Sequence, residues 1–287
     1  MQELPLGVAD FPTIRRDNLL YVDKTAKLLA LIQTGRRYFL ARPRLFGKSL
    51  LISTLQAMFS GESTLFAGLA AEEFVKECAK HPYPVLCFDM SELNTKSAAK
   101  VESVLYELVS DFAKKYEVVL EDQELETRFS SLLENLAARF GQVVILVDEY
   151  DRPLLECHDN KDLAREITQV LYTFYRLFKV NGRHIRFLML TGILDFTSTG
   201  VFDVLNNIED ISADVAYADL CGYTQYELEK YFFHFIDHAI KKENISVKEF
   251  LEKLCGTCQR YSFAGKIQVY TPFCILKAFK KNLALNI

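Results

Sequence analysis

Apolar runs of strand length alternate with amphipathic stretches over most of the chain. The apolar runs lie between polar residues at 37–41, 83–90, 142–151 and 185–193. The run at 142–151 is continuous rather than alternating, which is typical of a strand buried on both faces. Helical periodicity marks the segments 24–35, 49–61, 97–116, 122–140 and 161–180. Strands that alternate with helices predict an α/β fold in which helices flank a largely parallel sheet.

The hydrophobic pattern changes in the last quarter of the chain. From "GYTQYELEKYFFHFIDHAIKK" (222–242) onward, the apolar positions recur mainly at helical spacing. We therefore predict a core over residues 1–215 and a small C-terminal helical lid subdomain over residues 216–287.

Composition and charge narrow the classes of function. The 287 residues carry a formal net charge of −4, so no global positive field attracts nucleic acid or an anionic membrane. No apolar run approaches the roughly 20 residues of a membrane span. No basic region followed by an apolar run marks a secretory signal. The seven cysteines are scattered, which favours reduced thiols and a cytoplasmic protein.

The segment "FLARPRLFGKSLLISTL" (39–55) joins a predicted strand to a predicted helix. It matches the end of the phosphate-loop pattern G-x-x-x-x-G-K-S/T at Gly47, Lys48 and Ser49. The first glycine of the pattern falls at position 42, where the chain has an arginine. A glycine-containing turn with a solvated lysine is the structural alternative.

Each residue of this loop has a chemical task in a nucleotide site. Gly47 lets the backbone approach phosphate oxygens, and the N–H groups at the start of the helix bind the anion. Lys48 bridges the terminal phosphates, and the Ser49 hydroxyl joins the shell of Mg²⁺. Arg42 and Arg44 either contact phosphate or hold the loop against acidic neighbours. The predicted nucleotide-binding residues are Arg42, Arg44, Leu45, Phe46, Gly47, Lys48, Ser49 and Leu50.

Acidic and polar residues end two other predicted strands. In "VVILVDEYD" (143–151) we assign Asp148 to Mg²⁺ and Glu149 to the activation of a water. Thr191, at the end of "RFLMLTG" (186–192), is the predicted sensor of the γ-phosphate. Solvated caps at strand ends are the structural alternative. Ligand sites in open α/β sheets lie at the carboxyl ends of strands, where all three motifs fall.

Nine ordered segments resemble the AAA-ATPase-like proteins of bacteria and archaea. That family has a P-loop ATPase domain, usually followed by a nuclease-like domain of the PD-(D/E)XK type. The matching segments are 4–11, 21–25, 39–55, 65–69, 145–154, 187–193, 205–212, 221–228 and 269–276. The resemblance implies an AAA-like fold and an arginine at position 42 as the family's own form of the loop.

The chain departs from the family pattern at several places. Leu45 replaces the second arginine of an R-P-R-R-F-G-K-S loop, and Asp203 and Val204 replace a serine–glycine pair. The segment "RYSFAGK" (260–266) replaces a Y-D-G-Y segment. The chain stops about where the nuclease-like domain would begin, so the resemblance implies no nuclease function here.

Two other constellations suggest different ligands. His234 and His238, one helical turn apart, form a four-ligand zinc set together with Cys255 and Cys258, or else they are packed structural residues. The basic residues around the loop suggest nucleic acid, although a triphosphate accounts for their charge. These basic residues are Arg36, Arg37, Arg42, Arg44 and Lys48.

The sequence therefore predicts an ATP-binding protein and a Mg²⁺-dependent ATPase that hydrolyses ATP to ADP and phosphate. Three alternatives stay open. A nucleotide-binding regulatory switch with little turnover would control a partner or a nuclease-like domain, and a decayed remnant would bind nothing. A homo-oligomer or a protein partner is also compatible with the sequence, whereas a membrane partner is not expected.

Overall fold

The structure is a computed structural model that describes residues 2–121, 123–194 and 207–280. Asp203 and Val204, two of the departures from the family pattern, lie outside these ranges.

One parallel sheet of five strands forms the centre of the described chain. Its order is β2-β3-β4-β1-β5, so β4 lies between β1 and β3. The strands are β1 (Arg37–Ala41), β2 (Val85–Asp89), β3 (Val143–Asp148), β4 (Ile185–Gly192) and β5 (Glu209–Asp210). The four predicted strands and the parallel α/β fold are confirmed. The third strand ends at Asp148 rather than at residue 151, and β5 was not predicted.

Helices cover both faces of the sheet, which explains the continuous apolar run of β3. Alternate β3 side chains, from Val143 to Val147, pack under α5, α6 and α8, whereas Val144 and Leu146 face the layer of α2, α3 and α4. In chain order the helices up to residue 180 are α1 (Phe11–Arg16), α2 (Thr25–Thr34), α3 (Lys48–Phe59), α4 (Glu72–Cys78), α5 (Ala98–Lys115), α6 (Leu125–Phe140), α7 (Arg152–Glu156) and α8 (Lys161–Val180).

The C-terminal part is mainly helical, but it also contains a β-hairpin that the sequence did not predict. Its elements are α9 (Gln225–Tyr231), α10 (Phe233–Glu243), α11 (Val247–Thr257), β6 (Arg260–Tyr261), β7 (Val269–Tyr270) and α12 (Pro272–Lys280). We call β6, β7 and the turn between them the lid hairpin; its strands are antiparallel. Capping boxes at Thr224 and Ser246 start α9 and α11. The boundary at residue 216 stays a prediction.

The lid subdomain also contradicts the prediction of uniformly reduced thiols. Cys258, after α11, forms a disulfide with Cys274 in α12. Sequence spacing did not reveal this pair because only the packing of α11 against α12 brings the two residues together. The pairing also removes Cys258 as a thiolate ligand of the zinc set.

Among the helices of the described ranges, none has both the length and the apolar character needed to cross a membrane.

Candidate nucleotide-binding site

The phosphate loop connects β1 to α3 and has an unusual backbone. Gly47, the residue before α3, has φ 93°, and Leu45 has φ 68°. Left-handed backbone is costly for a leucine, so the loop is held in this shape by its surroundings. A Cβ added to Gly47 would meet no protein atom within 4 Å, which leaves open space beside the N-terminus of α3. Backbone N–H groups at such a helix start are suited to an anion.

Lys48, the first residue of α3, is buried and bonded to the loop itself. Its Nζ donates to the carbonyl oxygens of Arg42 at 2.9 Å and Pro43 at 3.1 Å. Only 6% of the residue is exposed, and this burial lowers the pKa of the ammonium although nearby Asp148 and Glu149 favour its charge. Within the described ranges, no carboxylate lies within ion-pair distance of Lys48. The ammonium is therefore available to an anion that enters the loop.

Asp148 and Thr191 meet at the carboxyl edge of the sheet. The Thr191 hydroxyl donates to Oδ1 of Asp148 at 2.6 Å, and the backbone N–H of Glu149 donates to the same oxygen at 3.0 Å. Both side chains are buried. In the sheet register, Leu40 of β1 pairs with Thr191, so Thr191 lies between the phosphate loop and Asp148. The role of Thr191 as a sensor of the γ-phosphate stays a prediction.

Glu149 follows β3 directly and turns away from the strand, with φ 50°. Its side chain is 31% exposed, and its Oε2 lies 3.9 Å from Nη1 of Arg152. Partial burial raises the pKa of Glu149, and the charge of Asp148 raises it further, whereas Arg152 opposes the shift. A carboxyl group with a raised pKa beside a buried acid is suited to accept a proton near neutral pH.

Asp151 and Tyr150 join the turn after β3 to the turn after β4, a role that the sequence did not indicate. Oδ2 of buried Asp151 accepts the backbone N–H groups of Ile193 at 2.9 Å and Leu194 at 2.6 Å. The Tyr150 hydroxyl donates to the Leu194 carbonyl. The sequence signal for this role was the second aspartate of "DEYD", Asp151. A carboxylate that is buried so close to the end of a strand needs hydrogen-bond donors from neighbouring segments.

An apolar pocket adjoins the phosphate loop between the N-terminal segment and the lid subdomain. Its lining includes Tyr21, Val22, Gly47, Leu50, Cys221 and Tyr223. Lys24 closes one side through an ion pair with Glu227 of α9 at 2.6 Å. The pocket joins residues near Tyr21 to residues near Tyr223, about 200 positions later in the sequence, so no local pattern predicted it.

The remaining predicted binding residues take three different positions. Arg44 and Ser49 are exposed, and Leu50 is half-buried at the pocket. Phe46 is buried edge-on against Tyr261 and Phe263 of the lid hairpin. Arg42 is also buried, and its guanidinium donates to the carbonyl oxygens of Ala41, Ser212 and Tyr217. Because Arg42 and Lys48 are buried, they add nothing to a basic surface for nucleic acid.

Within the described ranges, no group of three or more histidine, cysteine or acidic side chains is arranged to hold a metal ion alone. Mg²⁺ does not need such a group, since it keeps several waters and takes one or two carboxylates together with substrate phosphates. Of the described contacts to Asp148, both hydrogen bonds end on Oδ1. Oδ2 therefore remains an acceptor for a metal-bound water.

The sheet, the loop and the polar strand ends together are those of a P-loop NTPase-like α/β protein. The family model described as "Predicted AAA-ATPase" matches residues 5–202, which is more than half of the chain. The chain therefore belongs to the AAA-ATPase-like family, and the resemblance read from its segments is confirmed. Membership supports an ATPase-like function with ATP binding at a P-loop.

Comparison with individual proteins adds one relative of unknown function and no solved structure. An "Uncharacterized protein in vnfD 5'region" from Azotobacter chroococcum mcd 1 is 35% identical over 283 residues. The match covers 98% of this chain and 52% of that protein, so the chain spans about half the length of this relative. No solved structure matches the chain.

Proposed function

We propose that the protein binds Mg-ATP at the phosphate loop and hydrolyses it to ADP and phosphate. The observation that carries this proposal is the environment of Lys48, which is buried and hydrogen-bonded to Arg42 and Pro43 carbonyl oxygens. A buried charge without an opposite charge is costly. Triphosphate oxygens would replace these neutral acceptors with charged ones and so supply the opposite charge that the buried ammonium lacks within hydrogen-bond distance.

Ser49 and Asp148 are the residues that would hold Mg²⁺. Ser49 is exposed in the first turn of α3, and Asp148 keeps Oδ2 for a metal-bound water. When bound, Mg²⁺ neutralises charge that develops on the phosphate oxygens. The two residues come from β3 and from the helix after β1, so binding of the metal would join both parts of the site.

Glu149 is the proposed general base. In hydrolysis, the oxygen of a water forms a bond to the γ-phosphorus while the bond to the β–γ bridging oxygen breaks, and ADP leaves. The carboxylate of Glu149 accepts the proton of that water, and its raised pKa suits this task. Thr191, held by Asp148, is the proposed sensor of the γ-phosphate.

The apolar pocket beside Gly47 and Leu50 is the proposed site of the base of ATP. Its location favours this role because it adjoins the phosphate loop. Its apolar lining, which includes Tyr21 and Tyr223, suits a flat aromatic ligand. The pocket needs both the N-terminal segment and the lid subdomain, so the proposal gives both a part in binding.

A regulatory switch with little turnover is the second candidate function. The ion pair between Glu149 and Arg152 favours it, because it holds the proposed base beside a positive charge. Leu45 favours it as well, since the loop lacks an arginine that the family usually has. In this case the protein would bind ATP, and the nucleotide-bound form would regulate a partner. A cytoplasmic location stays a prediction under both candidates.

Calorimetry of Mg-ATP binding tests the proposed site. We expect the wild type to bind and Lys48→Ala to bind about 100-fold more weakly, because two charge-assisted hydrogen bonds are worth about 3 kcal/mol. Lys114→Ala, which removes an exposed lysine of α5, is the control and should bind as the wild type does. Equal binding by wild type and Lys48→Ala, or no binding by the wild type, would refute the proposal.

A further inference from the structure

Arg42 occupies the position at which a P-loop usually has a glycine, yet its side chain does not lie in solvent. Only 1% of the residue is exposed, which makes it the largest fully buried side chain among the described residues. Burial lowers the pKa of its guanidinium. A buried charge of this size needs specific partners, because its desolvation costs several kcal/mol.

Apart from the carbonyl of the neighbouring Ala41, the hydrogen-bond acceptors of the Arg42 guanidinium come from a segment about 170 residues later. Nη1 donates to the Ser212 carbonyl at 2.8 Å, and Nη2 donates to the Tyr217 carbonyl at 3.2 Å. The centre of the guanidinium lies 4.1 Å from the ring centroid of Phe263, in the lid hairpin. Only an arginine combines a planar fork of donors with a face that stacks on an aromatic ring.

The backbone of the same residue holds the phosphate loop. The Arg42 N–H donates to the Gly192 carbonyl at 3.0 Å, at the end of β4. Its carbonyl accepts the hydrogen bond from Lys48 Nζ at 2.9 Å. A rotation of the Arg42 backbone would therefore move the acceptor that positions Lys48.

Phe46 makes a second contact between the loop and the hairpin. Its ring centroid lies 5.1 Å from that of Tyr261 and 5.2 Å from that of Phe263, both at nearly perpendicular angles. Phe263 thus contacts both Arg42 and Phe46, which stand on either side of the exposed Leu45. The loop and the lid hairpin share one packed cluster.

We propose that Arg42 is a positioning residue that fixes the phosphate loop to the 212–217 segment and to the lid hairpin, and so keeps Lys48 in its ligand-ready position. This inference rests on the proposed function, since the position of Lys48 matters only if the loop binds phosphate. The Arg42 side chain contacts other protein groups rather than the nucleotide, and it affects nucleotide binding through the position of Lys48. A glycine at position 42 would match the usual P-loop pattern but would lose every contact of the side chain.

Arg42→Gly gives the sharpest test, because it restores the usual glycine. We expect Mg-ATP binding to weaken at least 10-fold, and Arg42→Lys to recover little of it, since an ammonium cannot reach two carbonyls and stack on Phe263 as well. Arg139→Ala, in the last turn of α6 and exposed, is the control and should bind normally. Wild-type affinity in folded Arg42→Gly would overturn the proposal.

Hydrogen exchange without nucleotide tests the link itself. In Arg42→Lys and in Phe263→Leu, amides of the loop (42–48) and of the lid hairpin (260–270) should both exchange faster, while those of β3 stay protected. Phe263→Leu serves where Arg42→Gly does not fold, because it keeps the carbonyl contacts of Arg42. Faster exchange confined to the loop would overturn the proposal. If the wild type does not bind ATP, the proposed function fails, and the exchange result still decides the role of Arg42.

Discussion

The two sides of the candidate site are held in different ways. The phosphate side, residues 42–49, takes its shape from contacts with the 212–217 segment and the lid hairpin. The side with the proposed catalytic residues, 148–151 and 191–194, is called the catalytic side here and is held by hydrogen bonds between neighbouring strand ends of one sheet. The sheet therefore forms the catalytic side by itself, whereas the phosphate side needs the lid subdomain. Substitutions should affect the two sides separately.

Glu149→Gln should have the largest effect and should be confined to the catalytic side. Loss of the general base should lower turnover of ATP by about 10²–10⁴-fold. Affinity for Mg-ATP should stay within about twofold, because the described hydrogen bond and ion pair of Glu149 do not involve the phosphate loop. Steady-state phosphate release and calorimetry measure the two quantities. If the wild type binds ATP without turnover, the switch is the better description of the protein.

Removal of the disulfide should loosen the lid subdomain and thereby weaken the phosphate side of the site. Cys258 and Cys274 are 16 residues apart, and a cross-link over such a loop contributes about 3 kcal/mol. The double variant Cys258→Ser/Cys274→Ser should increase hydrogen exchange in α11 and α12 and weaken Mg-ATP binding. β3 and β4 should keep their protection. Cys87→Ser, which removes a free thiol in β2, is the control. Equal loss of protection in β3 would contradict the proposed separation of the two sides.

Thr191→Val tests the catalytic side with nearly constant side-chain volume. It removes the hydroxyl that donates to buried Asp148, so we expect the free energy of unfolding to fall by about 1–2 kcal/mol. Turnover should fall about 10-fold, with Mg-ATP affinity changed much less. Thr191→Ser keeps the hydroxyl and should restore turnover. Denaturant unfolding and phosphate release measure the effects, and a valine variant with full turnover would exclude a role for this hydroxyl.

The pH dependence of turnover should show the smallest effect. The pKa of Glu149 is raised by burial and by Asp148 and Asp89, while Arg152 and Lys48 oppose the shift. Because a base must be deprotonated, turnover should be lost as pH falls through this raised pKa, above the range of an ordinary glutamate. Arg152→Gln removes a positive charge and should move the acid limb to higher pH. An unchanged limb would show that Glu149 is not the titrating base.

The sequence predicted the centre of the sheet because each of the strands β1 to β4 has its own apolar run and each long flanking helix has apolar residues at helical spacing. Asp148, Glu149 and Thr191 were located for the same reason, since each follows such a run directly. Their roles remain predictions.

Other features depend on contacts between distant segments, and no local pattern records them. β5 consists of two exposed acidic residues, Glu209 and Asp210, so it has no apolar run to detect. The packed lid subdomain is needed for the Cys258–Cys274 pair, for the pocket that Tyr21 and Tyr223 help to line, and for the contact of Arg42 with Phe263. The sequence identified the unusual arginine but not its partners.

The position of β4 between β1 and β3 sets the distance between the two sides of the candidate site. Neighbouring strands lie about 4.8 Å apart, so β1 and β3 are about 10 Å apart across β4. Backbone hydrogen bonds, rather than side chains, set this spacing between the phosphate loop and Glu149, the proposed general base. A shift of strand register would move the strand ends past one another along the strand axis, and it would turn the buried side chains of β4 to the opposite face. Under the proposed function, point mutations should therefore change the distance across the scissile bond little, whereas substitutions in the phosphate loop and the lid subdomain should change the affinity for nucleotide.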